Sequence, residues 1–230
     1  MAVTTYDPEF DRARAQVYDL LSAVFDGDMV VFERALQDRA FDELASALSA
    51  DLDVPTLAGQ ELDRSALEFG YDTLFEVPGS HHVPPFASAY VDEPTESYDS
   101  SSTHHEGGEA GELYGEPAAR MADRFERVGY SPDLGEGIPD HVAAQLGFMA
   151  ALSRTKYRLS VEGTDEPITP EAIRTIATEA LTDLDWLERF AKAVAATDAS
   201  VGAFARLAAF TVAFVRWDAA EHGIDWSDPA

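Results

Sequence analysis

The pair Asp140-His141, the runs His81-His82 and His104-His105-Glu106, and the aromatic, proline-bearing stretch Glu68 to Tyr90 hold five of this chain's six histidines and its densest cluster of candidate site residues. An aspartate next to a histidine at a helix entrance can accept backbone N–H bonds, orient the imidazole, or take part in acid–base chemistry. Catalysis asks for more, and the chain offers no convincing serine nucleophile, no glycine-rich phosphate loop and no second carboxylate at a matched spacing. The expectation is a protein with no catalytic residues. Adjacent histidines point apart, and neither histidine run has the i, i+4 helical spacing that grips an ion, so no metal site and no cofactor are expected. For Asp140 two roles stay open together: capping the helix that follows, and receiving a cationic ligand.

The stretch EFGYDTLFEVPGSHHVPPFASAY begins as a helix and ends as something that cannot be one. Tyr71, Leu74 and Phe75 fall at i, i+3 and i+4 and therefore meet on one helical face. Pro78 and Gly79 stop the helix. Pro84-Pro85 then removes two backbone donors and imposes extended geometry, leaving Phe86 and Tyr90 on a loop or short turn. A loop this apolar must lie against something. Either Leu74 and Phe75 are core and the loop covers them, or loop and helix end together wall a groove for an apolar peptide.

The positioning elements are helical throughout. Asp7-Pro8 reads as an N-cap with proline at the first helical position, followed by Phe10, Ala13, Val17, Leu20, Leu21 and Val24 at three- and four-residue steps. Asp26-Gly27-Asp28 separates this helix from a shorter one over 29–36, and another spans 41–48 before a break at Asp53-Val54-Pro55. The helix entering the motif starts near Leu57, with Leu62, Leu67, Tyr71 and Leu74 inward. Residues 92–115 are rich in Ser, Glu, Gly and His without either period, which predicts a long mobile loop. A helix over 117–128 closes at Gly129, and its Arg120, Arg124 and Arg127 are expected to pair with carboxylates. Asp140-His141 opens a helix with Val142, Leu146, Met149 and Leu152 inward; Arg154, Lys156 and Arg158 suit its C-terminal end. Two long helices follow, over 170–197 and 200–221, the second apolar on most of its circumference and expected to be central. No segment alternates with period two. The prediction is an all-α fold, a single-domain bundle of about eight to ten helices over residues 1–230.

Composition bounds the partners. A formal charge of −27 makes nucleic acid or an anionic membrane surface improbable. Lys156 and Lys192 are the only lysines. Acidic excess with so little lysine points to a halophile's cytoplasm, where molar salt shortens the Debye length to about 3 Å and suppresses self-repulsion. With no cysteine, disulfides, thiol nucleophiles and cysteine metal sites are excluded. The segment MAVTTYDPEFDRARAQ lacks the apolar core of a signal peptide, and no stretch is apolar enough to span a bilayer, so a cytoplasmic protein is expected.

Glu68, Tyr71, Leu74-Phe75, Pro78, Pro84-Pro85, Ser88 and Tyr90, in this order, resemble the central motif of the TorD/DmsD family of redox-enzyme maturation chaperones. Pro139-Asp140-His141 running into Gln145-Leu146-Gly147-Phe148-Met149 resembles a second block of the same family. The resemblance covers roughly Tyr6 to Trp217, and it implies a chaperone that binds the twin-arginine signal peptide of a molybdopterin oxidoreductase precursor. The implied clients are of the dimethyl sulfoxide, trimethylamine N-oxide or nitrate reductase class. On that reading Tyr71, Leu74, Phe75, Pro85 and Phe86 meet the leader's apolar middle. Asp140 takes a guanidinium, with His141 beside it. The family often has Trp where Phe86 stands and Glu where Gln145 stands, and the loop after Tyr90 has no obvious counterpart. The readings set against it are an α-helical metal-dependent hydrolase using the scattered His and Asp residues, and a helical scaffold that docks a partner helix.

Overall fold

The computed structural model describes residues 8–48, 57, 63–90, 115–162, 168–198 and 202–226. Their secondary structure is helical apart from one isolated bridge, as the three- and four-residue spacing requires. In chain order the helices are α1 (Pro8–Phe25), α2 (Met29–Gln37), α3 (Ala40–Leu48), α4 (Arg64–Tyr71), α5 (Glu116–Val128), α6 (Val142–Glu162), α7 (Pro170–Thr182), α8 (Leu187–Thr197) and α9 (Ala203–Glu221). The expected cap at Asp7, the break at 53–55, Leu62 and nearly all of the loop over 92–115 lie outside the described residues, as do His104 and His105.

Local signals set several boundaries. Asp28 caps α2 by accepting from the Val31 N–H at 2.9 Å, and Gly129 ends α5 in the left-handed conformation. The arginines of α5 find carboxylates as expected, and those partners tie α5 to α7: Arg120 and Arg124 reach Asp183, and Arg127 reaches Glu179. The basic residues of α6 do not mark its C-terminal end as expected, because the helix runs on to Glu162 with no basic residue in its last turn. Arg154 pairs with Asp19 and Lys156 with Asp11, so they bind α6 to α1.

Three expectations are corrected. The helix predicted over 170–197 is broken at 183–186 into α7 and α8, because the chain turns there to bury Trp186. The start of α6 is enclosed beyond expectation, alongside the broadly buried α9. Every residue from Val142 to Ala150 is buried, around the whole circumference, whereas spacing predicts inward marks on one face only. Its alanines and Gly147 let α1 come close, with Ser22 Oγ donating to the Ala143 carbonyl at 2.7 Å. Finally, α4 begins at Arg64 and continues past Tyr71 as a π-turn over Asp72–Glu76.

Charge also enters the interior. Tyr18 Oη donates to Asp218 Oδ2 at 2.6 Å, Arg14 lies 2.8 Å from both Asp218 and Asp11, and Asp218 and Asp11 are fully covered. Burial, then the Asp218 charge, pushes the Tyr18 phenol pKa up. This network fastens α1 to α9 and, through Lys156, to α6. Among the described residues no helix is long and apolar enough to cross a membrane.

Candidate functional site

Pro84-Pro85 cannot donate, so this segment can accept only. Its partner is the start of α6. The Val142 N–H donates to the Pro85 carbonyl at 2.9 Å, and the Ala87 N–H donates to the Asp140 carbonyl at 3.0 Å. Phe86 and His141 thereby form an antiparallel bridge, their rings edge to face at 5.2 Å. The two sequence blocks, about fifty residues apart, are thus joined through their backbones.

Side chains reinforce the junction. Ala87–Tyr90 closes into a 3-10 turn that directs Ser88 at Asp140. Asp140 Oδ2 accepts from both the backbone N–H of Ser88, at 2.9 Å, and its hydroxyl. The other carboxylate oxygen, Oδ1, is buried with no hydrogen-bond partner. Buried acceptors are ordinarily satisfied, so this one stands out. Asp140 therefore anchors the proline strap and does not cap α6. The capping falls to His141, whose Nδ1 accepts from the Ala143 N–H at 3.1 Å. That bond leaves Nδ1 unprotonated, and burial lowers the imidazole pKa to about 4. Gly135, at φ +62°, makes room for this ring: a Cβ there would lie 2.6 Å from His141 Cβ and Cγ.

The remaining expected site residues lie deeper. Tyr71, Leu74 and Phe75 are buried at 7%, 3% and 5% exposure. Tyr71 Oη donates to the Phe25 carbonyl at 3.0 Å, and its ring fits against Gly27, whose φ of +89° belongs to glycine. Phe75 packs on Tyr71, Phe190 and Phe204. Leu74 meets the strap through its backbone, accepting from the Val83 N–H at 2.7 Å. Thus Pro85, Phe86, Asp140 and His141 come together at one junction, with Phe86 alone of the seven expected residues half exposed. Tyr71, Leu74 and Phe75 form an aromatic floor that reaches the strap by way of Phe190 and Tyr90.

Two contributors escaped the site reading. Ser88 belongs to the motif, but its spacing from Asp140 in the chain gave no hint that it holds that carboxylate. Trp186 stacks on Tyr90 at 5.4 Å and donates its indole N–H to Gln145 Oε1 at 3.0 Å, leaving the buried Gln145 Nε2 without a partner. A tryptophan flanked by Asp185 and Leu187 was a visible signal of an inward anchor. Among the described residues no group of three His, Asp or Glu side chains could hold a metal ion.

In this all-α bundle a proline-bounded strap is thus pinned across the buried start of α6. Residues 34–192, which include both joined blocks, match the family model described as nitrate reductase delta subunit, and the chain belongs to that family of molybdoenzyme maturation chaperones. No curated protein and no solved structure matches the chain.

Proposed function

We propose that this chaperone acts in the cytoplasm of a salt-rich cell, where it binds the twin-arginine leader of a molybdopterin oxidoreductase precursor and holds it until maturation is complete. Clients are of the dimethyl sulfoxide, trimethylamine N-oxide or nitrate reductase class. The observation that carries this reading is the buried, unpartnered Asp140 Oδ1 at the junction of the two sequence blocks. A carboxylate already oriented by Ser88 through Oδ2 has one acceptor left for an incoming cation. A guanidinium suits it, because a planar donor group approaches a carboxylate in a fixed geometry and its charge compensates a buried anion.

Asp140 is enclosed, so the cation reaches it when a neighbour gives way. Phe86, packed edge to face on His141 and partly open to solvent, offers its ring to the leader's apolar middle. Pro85 and His141 hold the backbone of the junction. Tyr71, Leu74 and Phe75 support it from below as the floor on which the apolar contact rests. The work is binding, without turnover.

Asp140→Asn tests the assignment, since it keeps the shape and the Ser88 bond while removing the charge. Calorimetry with an Arg-Arg leader peptide should give a loss of about 1 to 3 kcal/mol in binding free energy. Unchanged affinity in a folded variant removes Asp140 from the site.

A further inference from the structure

The outer face of α4 carries a surface that the site above leaves unused. Phe69 is 67% exposed and Val77 58%, large apolar side chains that gain nothing for the fold by facing water. Beside them Glu68, Asp72 and Glu76 are exposed as well. Glu33 on the neighbouring helix is neutralised by Arg64, whereas among the described residues none of these three carboxylates meets an arginine or lysine. Acidity alone distinguishes little on a chain of charge −27. The open apolar residues next to it do.

Backbone geometry aligns the two sets. Glu68, Asp72 and Glu76 step by four, as do Phe69, Thr73 and Val77. In an α-helix a four-residue step overshoots one turn by about 40°, so successive steps wind off a straight line. From Asp72 to Glu76 the helix widens into a π-turn, a feature frequent at functional positions, and the wider turn takes back part of that drift. Phe69 and the carboxylates of Glu68 and Asp72 therefore share one exposed flank, with Glu76 and the extended Val77 at its C-terminal end. Below them lies Tyr71, whose phenol is raised by burial and by the nearby Glu76, Asp26 and Asp72. Asp26 accepts from the Gly135 N–H at 2.6 Å, and Gly135 abuts His141, which connects this flank to the strap junction.

We propose that this surface docks the basic, partly apolar flank of the leader's arginine pair, an inference that rests on the leader-binding reading above. The occupant follows from complementarity: a segment carrying both positive charge and an apolar side chain satisfies both sets, and neither an acidic nor a purely apolar segment does. In molar salt the field beyond about 3 Å is screened, so the carboxylates act through direct pairs with the peptide.

The test is fluorescence anisotropy of a labelled Arg-Arg leader peptide in molar KCl. One variant combines Glu68→Gln, Asp72→Asn and Glu76→Gln; a second combines Phe69→Ser and Val77→Ser. All five positions are exposed, so both variants should fold. Each should weaken binding by roughly tenfold, while Glu126→Gln, Glu162→Gln and Glu221→Gln, an equal change in net charge elsewhere, should leave it unaltered. Wild-type affinity in both variants overturns the docking surface and leaves the Asp140 reading standing. An equal loss in the charge-matched control also overturns it, by assigning the effect to bulk charge. If the wild-type chain binds no leader, both readings fall.

Discussion

His141 shows how much one side chain can be asked to do. It caps α6 with an unprotonated Nδ1, lies edge to face with Phe86 and fills the space that Gly135 leaves. Protonation would set an N–H against the Ala143 N–H and bury a positive charge at a helix N-terminus. The folded pKa of about 4 lies below the usual 6.5, so the unfolded chain binds the proton first. The stability held by neutral His141 is complete above pH 6.5 and is lost as pH falls towards 4. His222, also lowered to about 4 by burial, draws a second proton in the same window. Denaturation midpoints between pH 7 and 4.5 should therefore fall less steeply in His141→Asn, since asparagine caps without titrating. Identical slopes would contradict the assigned tautomer. In the sequence, Asp140 and His141 were both legible as helix-entrance residues. The exchange of roles between them was not, because either residue can accept a backbone N–H and only the path of the strap decides which is free to do so.

At the scale of elements, capping and spacing carried most of the information. Asp28 and Gly129 marked helix ends that the structure keeps, and the arginines of α5 announced the carboxylates they meet. Three features were hidden. Leu184 and Leu187 continue the three- and four-residue rhythm across the α7–α8 break, so nothing periodic records it. The π-turn leaves the sequence spacing of Tyr71, Leu74 and Phe75 unaltered, so the pattern does not record the wider turn and its hydrogen-bond register. Alanine and glycine carry little pattern, which conceals the all-round burial of the first half of α6. The break has a purpose that can be measured: it brings Trp186 to Gln145, joining the segment between α7 and α8 to α6. Trp186→Phe keeps an aromatic ring but strands the buried Gln145 carbonyl oxygen, and chemical denaturation should record a loss of about 1 to 3 kcal/mol. A variant as stable as wild type would mean that the bond contributes nothing to the seam.

For the whole molecule, charge dominates. A net −27 on one bundle produces repulsion that acts across about 10 Å in 0.1 M salt and about 3 Å at 1 M. Ion pairs such as Arg154–Asp19 and Arg120–Glu116 offset only a part of it. Helical circular dichroism should therefore weaken as KCl is diluted from molar to millimolar concentration, and a constant signal would contradict the halophilic reading. Family membership was legible because the first block fills the stretch that spacing marked as unusual and the second follows it in order about fifty residues on. Their union through Pro85–Val142 and Ala87–Asp140 required the fold. The account as a whole rests on a preference for guanidinium at that union. Calorimetry of the native chain in molar KCl against two leaders, identical except for Arg-Arg in one and Lys-Lys in the other, measures it directly. If Asp140 receives the leader as proposed, the arginine leader binds at least about fivefold tighter, since lysine offers a point charge in place of a planar donor. Equal affinities, or no binding of either leader, would contradict it.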